Sequence, residues 1–217
     1  MTINEQEKRP PGGSAQCPNY HEGPVHSRGD VHLHARYFTY QTDAGLVAGD
    51  NFSVMFTLER SAKEVWPYFK DFNRWQKDHY YSGVAGDLEG KPLRLSSQPN
   101  EPGPHQYQVL RVIPEHLIVL YQPVPEGNYE GLSWWLGGIS PGFHVFMLNE
   151  HDDNTVVTVL MNHASLMERA SESHGMTEDE ALRPWRDEQV VPDALRKWRD
   201  DFIPVLKKLV HEGRKGR

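Results

Sequence analysis

Two histidines, His144 and His163, sit in consecutive stretches that read as the arms of a β-hairpin, Gly142 to Asn149 and Asn154 to His163. If the connection is two or four residues around Asp152 and Asp153, antiparallel pairing sets Leu148 against Val157, Phe146 against Val159 and His144 against Met161. His163 then joins the same face, diagonal to His144, and diagonal neighbours lie about 7–8 Å apart. Two imidazoles at that spacing can share a ligand, a water or a metal. On an apolar wall, burial lowers an imidazole pKa and leaves the ring neutral near pH ~7, able to take a proton from a substrate hydroxyl, which is what a general base requires. A three-residue loop would place the two rings on opposite faces, and the competing reading is a pair of exposed strand-end histidines. The other face of the hairpin (Phe143, Val145, Met147, Val156, Thr158, Leu160, Asn162) is also apolar, so the pattern alone leaves open which face is concave.

Tyrosines supply further proton carriers. Tyr121 joins the two histidines as a candidate catalytic group, and Tyr107 stands beside it as the next. The candidate ligand wall is Phe146, Val159 and Met161 from the hairpin, Tyr107, Trp134 and Trp135 from the middle of the chain, and Trp198, Arg199 and Phe202 near its end. Trp134 and Trp135 lie in Gly127 to Pro141, a stretch long for a hairpin connection that reads either as a lid over a cavity mouth or as a surface docking loop. His32 and His34 share a face if Val31 to Tyr40 is a strand; spaced so they can chelate a metal, but an edge strand or wrapped arm with exposed histidines is the simpler reading. There is no HExxH, paired CxxC or EF-hand pattern, no nucleotide-binding glycine loop and no Gly-x-Ser-x-Gly elbow. No organic cofactor is therefore expected, the alternative being a divalent metal held by histidines such as His144 and His163 with a carboxylate. The single cysteine, Cys17, lies in a polar segment rich in Gly and Pro that does not suit a catalytic thiol.

Positioning these residues requires a partner for the last long helix, Pro192 to Val210. At about 3.6 residues per turn, Leu195, Trp198, Phe202, Val205, Leu206, Leu209 and Val210 form one apolar stripe. Arg199 falls inside that stripe, where a cation needs an acceptor, and Pro204 on the polar side should bend the helix. Upstream, Asn51 to Glu59 reads as a strand, and Ser61 to Glu64 as the capping box of a short helix whose apolar face is Val65, Trp66 and Phe69. A second short helix or turn follows at Asp71 to Trp75. Further strands are expected at Pro92 to Ser97, Gln106 to Ile113, Leu117 to Gln122 and in the hairpin; their short spacing implies antiparallel pairing. A second capping box, Thr177 to Glu180, opens the lead-in to the last helix.

The order is strand, two short helices, about five antiparallel strands, long helix. In that order, and in the run FSVMFTLERSAKEVWPYFKDFNRW at Phe52 to Trp75, the chain resembles the helix-grip superfamily known as SRPBCC, START or Bet v 1-like, which includes polyketide cyclase-like proteins. The resemblance covers Asn51 to His211. It implies an α+β fold in which a curved antiparallel sheet of six or seven strands grips the closing helix around a deep apolar cavity. It does not imply one reaction, because carriers, receptors, cyclases, hydrolases and lyases share the shape.

Length fits one domain: 217 residues suffice for a single core, with residues 1–30 expected as a disordered or surface-draped arm and 31–217 as the domain. The net charge of −7 argues against nucleic acid as a partner. No apolar run is long enough to span a membrane and the first residues carry no signal-peptide core, so a cytoplasmic location is expected. The first functional expectation is cofactor-independent acid/base chemistry on an aromatic or polycyclic hydrophobic molecule, as a lyase, cyclase or hydrolase. The alternatives are a non-catalytic carrier or sensor of such a ligand and an interaction module using Trp134 and Trp135; a homodimer is compatible with any of them.

Overall fold

A computed structural model describes residues 18–42, 45–75, 82–83, 93–95, 105–122, 142–166, 177–186 and 190–213. Among these, β1 (Asn19–Arg28), β2 (Val31–Thr42), β3 (Gly45–Leu58), β4 (Ser82–Gly83), β5 (Leu93–Leu95), β6 (His105–Ile113), β7 (Leu117–Gln122), β8 (Gly142–His151) and β9 (Asn154–Leu166) form one sheet. Its order is β1-β2-β3-β9-β8-β7-β6-β5-β4, with every pair antiparallel. Helices α1 (Ala62–Phe69) and α2 (Phe72–Trp75) follow β3, and α3 (Glu178–Arg186) and α4 (Val190–Lys197) follow β9. A π-helical turn (Trp198–Phe202) then joins α4 to the last helix, α5 (Ile203–Glu212). The seven strands β3 to β9 and the closing helix are the helix-grip arrangement: the last strand returns beside the first, and the helix covers the face they share.

Beyond that arrangement, β1 and β2 extend the sheet past β3. Residues 19–28, expected within a disordered or draped arm, are the edge strand, and Val31 to Tyr40 is an interior strand rather than an edge. Alternation explains β2: Leu33, Ala35, Tyr37 and Thr39 are buried, while His32 and Arg36 are exposed. The β1–β2 turn needs Gly29, whose φ of +62° favours glycine. Its neighbour Asp30 ties the hairpin to both ends of the domain, accepting hydrogen bonds from the Thr57 amide at 3.0 Å and from Lys207 of α5 at 2.7 Å.

The second capping box forms as expected; at the first, α1 starts where expected but Ser61 makes no side-chain cap. In the second, the Glu180 amide donates to the Thr177 hydroxyl at 3.3 Å and the Thr177 amide to the Glu180 carboxylate at 2.8 Å. In the first, the Ser61 hydroxyl instead donates to Glu64, and the free amide of Ala62 donates to Glu150 of β8 at 2.8 Å. A carboxylate from the sheet thus caps α1, satisfying an orphan donor and meeting the positive end of the helix dipole.

The closing helix departs from uniform periodicity at Pro204. In a regular α-helix residue 204 would donate to the carbonyl four residues back, but proline has no donor and its ring crowds that carbonyl. The chain widens into a π turn instead, with the Ile203 amide donating to Trp198 O five residues back. The wider turn rotates everything before it relative to everything after. Leu195, Trp198, Phe202, Leu206 and Val210 are buried as the stripe requires, but Ile203 is buried as well and Val205, expected inside, is 40 % exposed.

Candidate functional site

The β8–β9 hairpin turns on two residues, Asp152 and Asp153, with φ of 48° and 61°. That short turn with positive φ at both positions matches the twist of the strands and sets their register. His144 pairs with Met161, Phe146 with Val159 and Leu148 with Val157. These are the buried side chains of the hairpin, so their face is the concave one. The opposite face carries Phe143 and Leu160, both exposed.

The lower part of the grip is filled by rings. Phe146 meets Phe69 and Phe72 edge-on, at centroid distances of 6.0 and 5.2 Å. Trp75 packs against Phe69 at 5.5 Å, Trp198 at 5.8 Å and Phe202 at 6.2 Å, and its indole N–H donates to Phe69 O at 2.9 Å. Phe146, Trp198 and Phe202, expected along the ligand wall, therefore form an aromatic floor packed by its own members. Val159 and Met161 are also buried on this face.

Polar groups begin one row above the floor. Across four adjacent strands His21, Tyr37, Asp50 and His163 occupy directly opposite positions. Tyr37 and Asp50 are each 2 % exposed, and His144, whose partner Met161 precedes position 163 by two, is 3 % exposed. At the β1 end, His21 Nε2 lies 3.7 Å from a Glu178 carboxylate oxygen. Thr39, two residues beyond Tyr37, is fully buried, and its hydroxyl has no hydrogen-bond partner among the described residues. A tyrosine, a carboxylate and a histidine thus share a water-poor, ring-floored wall, the setting in which small polar sets orient a ligand and exchange protons with it.

Tyr37 and Asp50 were not singled out from the sequence. The signal was present: Asp50 continues the alternation of Phe52, Val54 and Phe56, and Tyr37 that of Leu33 and Ala35. Gly49-Asp50 reads locally as a turn, so the expected strand began at Asn51, six residues after Gly45 where β3 starts.

Two expected site residues lie elsewhere. Tyr121 is on the convex face, its ring 5.0 Å from that of Phe143, because its neighbour Leu120 faces inward opposite His144. It is no partner for the histidines. Arg199 points to solvent rather than into the sheet and makes a two-pronged pair with Asp200, at 2.7 and 2.6 Å; the π turn is what carries it out of the stripe. Each partner shifts the other: the hydrogen bond from Arg199 holds the Asp200 carboxyl below its ordinary value, and the carboxylate raises the guanidinium. His32 and His34 do face the same way, outward, with His32 against the Ser27 hydroxyl at 2.7 Å and His34 3.4 Å from Glu22. His34 and Arg36 border a convex-face groove of about 350 Å³ walled by Phe143, Val145 and Leu160. Among the described residues no three His, Cys, Asp or Glu side chains are grouped closely enough to hold a metal. Trp134, Trp135 and the rest of the expected lid, with Cys17, lie outside the described residues, as do the side chains of Tyr107 and His163.

No family model matches the chain, and no curated protein matches it. Similar solved structures include CalU16 from Micromonospora echinospora, 16 % identical with a TM-score of 0.38, the match covering 83 % of this chain and 94 % of that one. Another is norcoclaurine synthase from Thalictrum flavum in complex with dopamine and hydroxybenzaldehyde, 15 % identical with a TM-score of 0.47, covering 76 % and 88 %. A third is DynU16, a protein in the dynemicin biosynthetic locus, 17 % identical with a TM-score of 0.43, covering 74 % and 47 %.

Proposed function

We propose that the protein binds an aromatic or polycyclic hydrophobic molecule between the sheet and the closing helix, and acts on it by acid/base chemistry that needs no organic cofactor, as a lyase, cyclase or hydrolase. The observation that carries this reading is the burial of His144 on the concave wall, one row above the aromatic floor and beside the strand position of His163. A histidine kept only for solubility has no reason to be there, since burying an imidazole away from water has a free-energy cost.

In this reading the ring floor binds the flat apolar part of the ligand and sets its height, and the polar row above meets its oxygen atoms. One histidine accepts a proton from a ligand hydroxyl or an activated carbon and returns it to the product, so the protein ends each cycle unchanged. Tyr37 supplies a hydroxyl in that row and Thr39 one in the next. The low polarity of the surroundings strengthens each of these contacts. No helix among the described residues is long and apolar enough to cross a membrane.

The deciding experiment is mass spectrometry of the natively purified protein, combined with titration of anilinonaphthalene sulfonate as a fluorescent probe of the interior. An aromatic compound that co-purifies, displaces the probe and is converted on incubation supports the reading. A protein that carries nothing and leaves the probe fluorescence unchanged removes it.

A further inference from the structure

We propose that Thr39 of β2 and His21 of β1 form a polar subsite at one end of the concave wall, which takes a neutral oxygen atom of the ligand, a hydroxyl or a carbonyl. This rests on the reading of that wall as the binding site of an aromatic molecule, and it states the chemistry of one end of that molecule. The subsite stands on the two strands that extend the sheet beyond the helix-grip arrangement.

Thr39 continues the inward alternation of Leu33, Ala35 and Tyr37 and is fully buried. Of its ladder neighbours, Ala48 of β3 has no polar side-chain atom, and Asn19 of β1 donates its amide to Glu178 at 2.8 Å. Helix α3, packed over β2 and β3, adds the buried and apolar Ala181 and Leu182. The Thr39 hydroxyl has no hydrogen-bond partner among the described residues. The same holds for His21 Nε2, which is buried and 3.7 Å from the Glu178 carboxylate, too far for a hydrogen bond. His21 pairs with Tyr37, so it is the diagonal neighbour of Thr39. Diagonal neighbours lie about 7–8 Å apart between backbones, and one oxygen atom between the two side chains is within reach of both.

A buried hydroxyl without a partner has a free-energy cost that valine would remove, since valine has the same shape and suits a strand as well. The fold gains nothing from the hydroxyl; a ligand oxygen does. A threonine hydroxyl both donates and accepts, and a neutral imidazole nitrogen does one or the other, so a ligand hydroxyl or carbonyl suits the pair. A carboxylate does not, because Glu178 already stands beside His21 and like charges repel. Because Thr39 is enclosed, α3 must move aside to admit the oxygen, and the described polar contacts that tie α3 to β1 are exposed ones through Glu178.

Equilibrium dialysis of the full-length protein against 2-naphthol and its hydrocarbon isostere 2-methylnaphthalene tests this, with 2-naphthoate as the anionic analogue. The wild type should bind 2-naphthol about 3–10-fold more tightly than either, the usual net worth of a hydrogen bond. Thr39→Val should abolish the preference over 2-methylnaphthalene and His21→Leu should reduce it, whereas Thr39→Ser, which keeps the hydroxyl, should retain it. The thermal midpoint of Thr39→Val, measured without added compound, should equal or exceed that of the wild type. A wild type indifferent to the isosteres, a preference that survives Thr39→Val or His21→Leu undiminished, or 2-naphthoate bound as tightly as 2-naphthol overturns the proposal. So does a lowered midpoint in Thr39→Val, which would mean that the hydroxyl serves the fold. A protein that binds none of the three compounds overturns it together with the proposed function, whereas equal binding of all three overturns it alone.

Discussion

Asp50 of β3 and His163 of β9 face each other directly in the ladder that also sets Phe52 against Met161 and Val54 against Val159. Toward the hairpin turn the ladder is aliphatic and aromatic; at this pair it becomes polar. On β8 the change comes one row earlier, at His144 opposite Met161, and single substitutions can address the ring floor and the polar positions separately.

On the floor side, Trp198→Ala should destabilise the fold by ~3–5 kcal/mol, because a buried indole leaves a cavity its ring neighbours cannot close. Urea denaturation measures it. A loss below about 1 kcal/mol would mean that the closing helix does not pack as described.

On the polar side, His144→Gln should lower conversion of the co-purified compound by ~10²–10⁴-fold, the usual effect of losing a general base. His144→Ala should in addition lower the thermal midpoint. The side chain is fully enclosed, so truncation opens a void of the kind that costs stability. Full activity in both variants would remove His144 from the chemistry.

Tyr121→Phe and Arg199→Met serve as matched controls. One side chain stacks on the convex face and the other pairs with Asp200 at the surface, so both variants should bind anilinonaphthalene sulfonate as the wild type does. A several-fold change in affinity for either would place that residue in the site after all.

Asp30 supplies a pH-dependent contact between the first hairpin and the last helix. Burial pushes its carboxyl up, but the hydrogen bond from Lys207, the Thr57 amide and the lysine charge outweigh it and hold the carboxyl below its ordinary value of 3.8. A carboxyl with a depressed folded-state pKa stabilises the fold above its unfolded-state pKa, and that contribution disappears as pH falls through the folded value. The pair is more than a third exposed, so Asp30→Asn should cost only about 0.2–1 kcal/mol at neutral pH. The gap between wild type and variant should close as pH falls through the depressed folded-state value, where the wild-type carboxyl also loses its charge. Chemical denaturation across that range checks it; a gap independent of pH would show that the charge is irrelevant.

Much of this protein is written in local patterns. Alternation located the hairpin arms, and the Asp152-Asp153 turn fixed their register to the residue, so the pairing of His144 with Met161 follows from chain chemistry alone. Capping boxes marked the starts of α1 and α3, and the order of elements carried the helix-grip arrangement. What the chain could not show by itself depends on contacts between distant segments. Both faces of the hairpin are apolar, and only the arrival of α1, α2 and the closing helix makes the His144 face concave. Which way Arg199 points depends on how the helix resolves the missing donor of Pro204, and a π turn, unlike a bend, shifts every later residue around the axis. The row of Tyr37, Asp50 and His163 joins positions 126 residues apart or less only through the pairing of the first strands with the last. Sequence periodicity assigns a residue to a face, but only strand order decides which residues stand beside it, because strand neighbours are set by the closure of the sheet and not by distance along the chain.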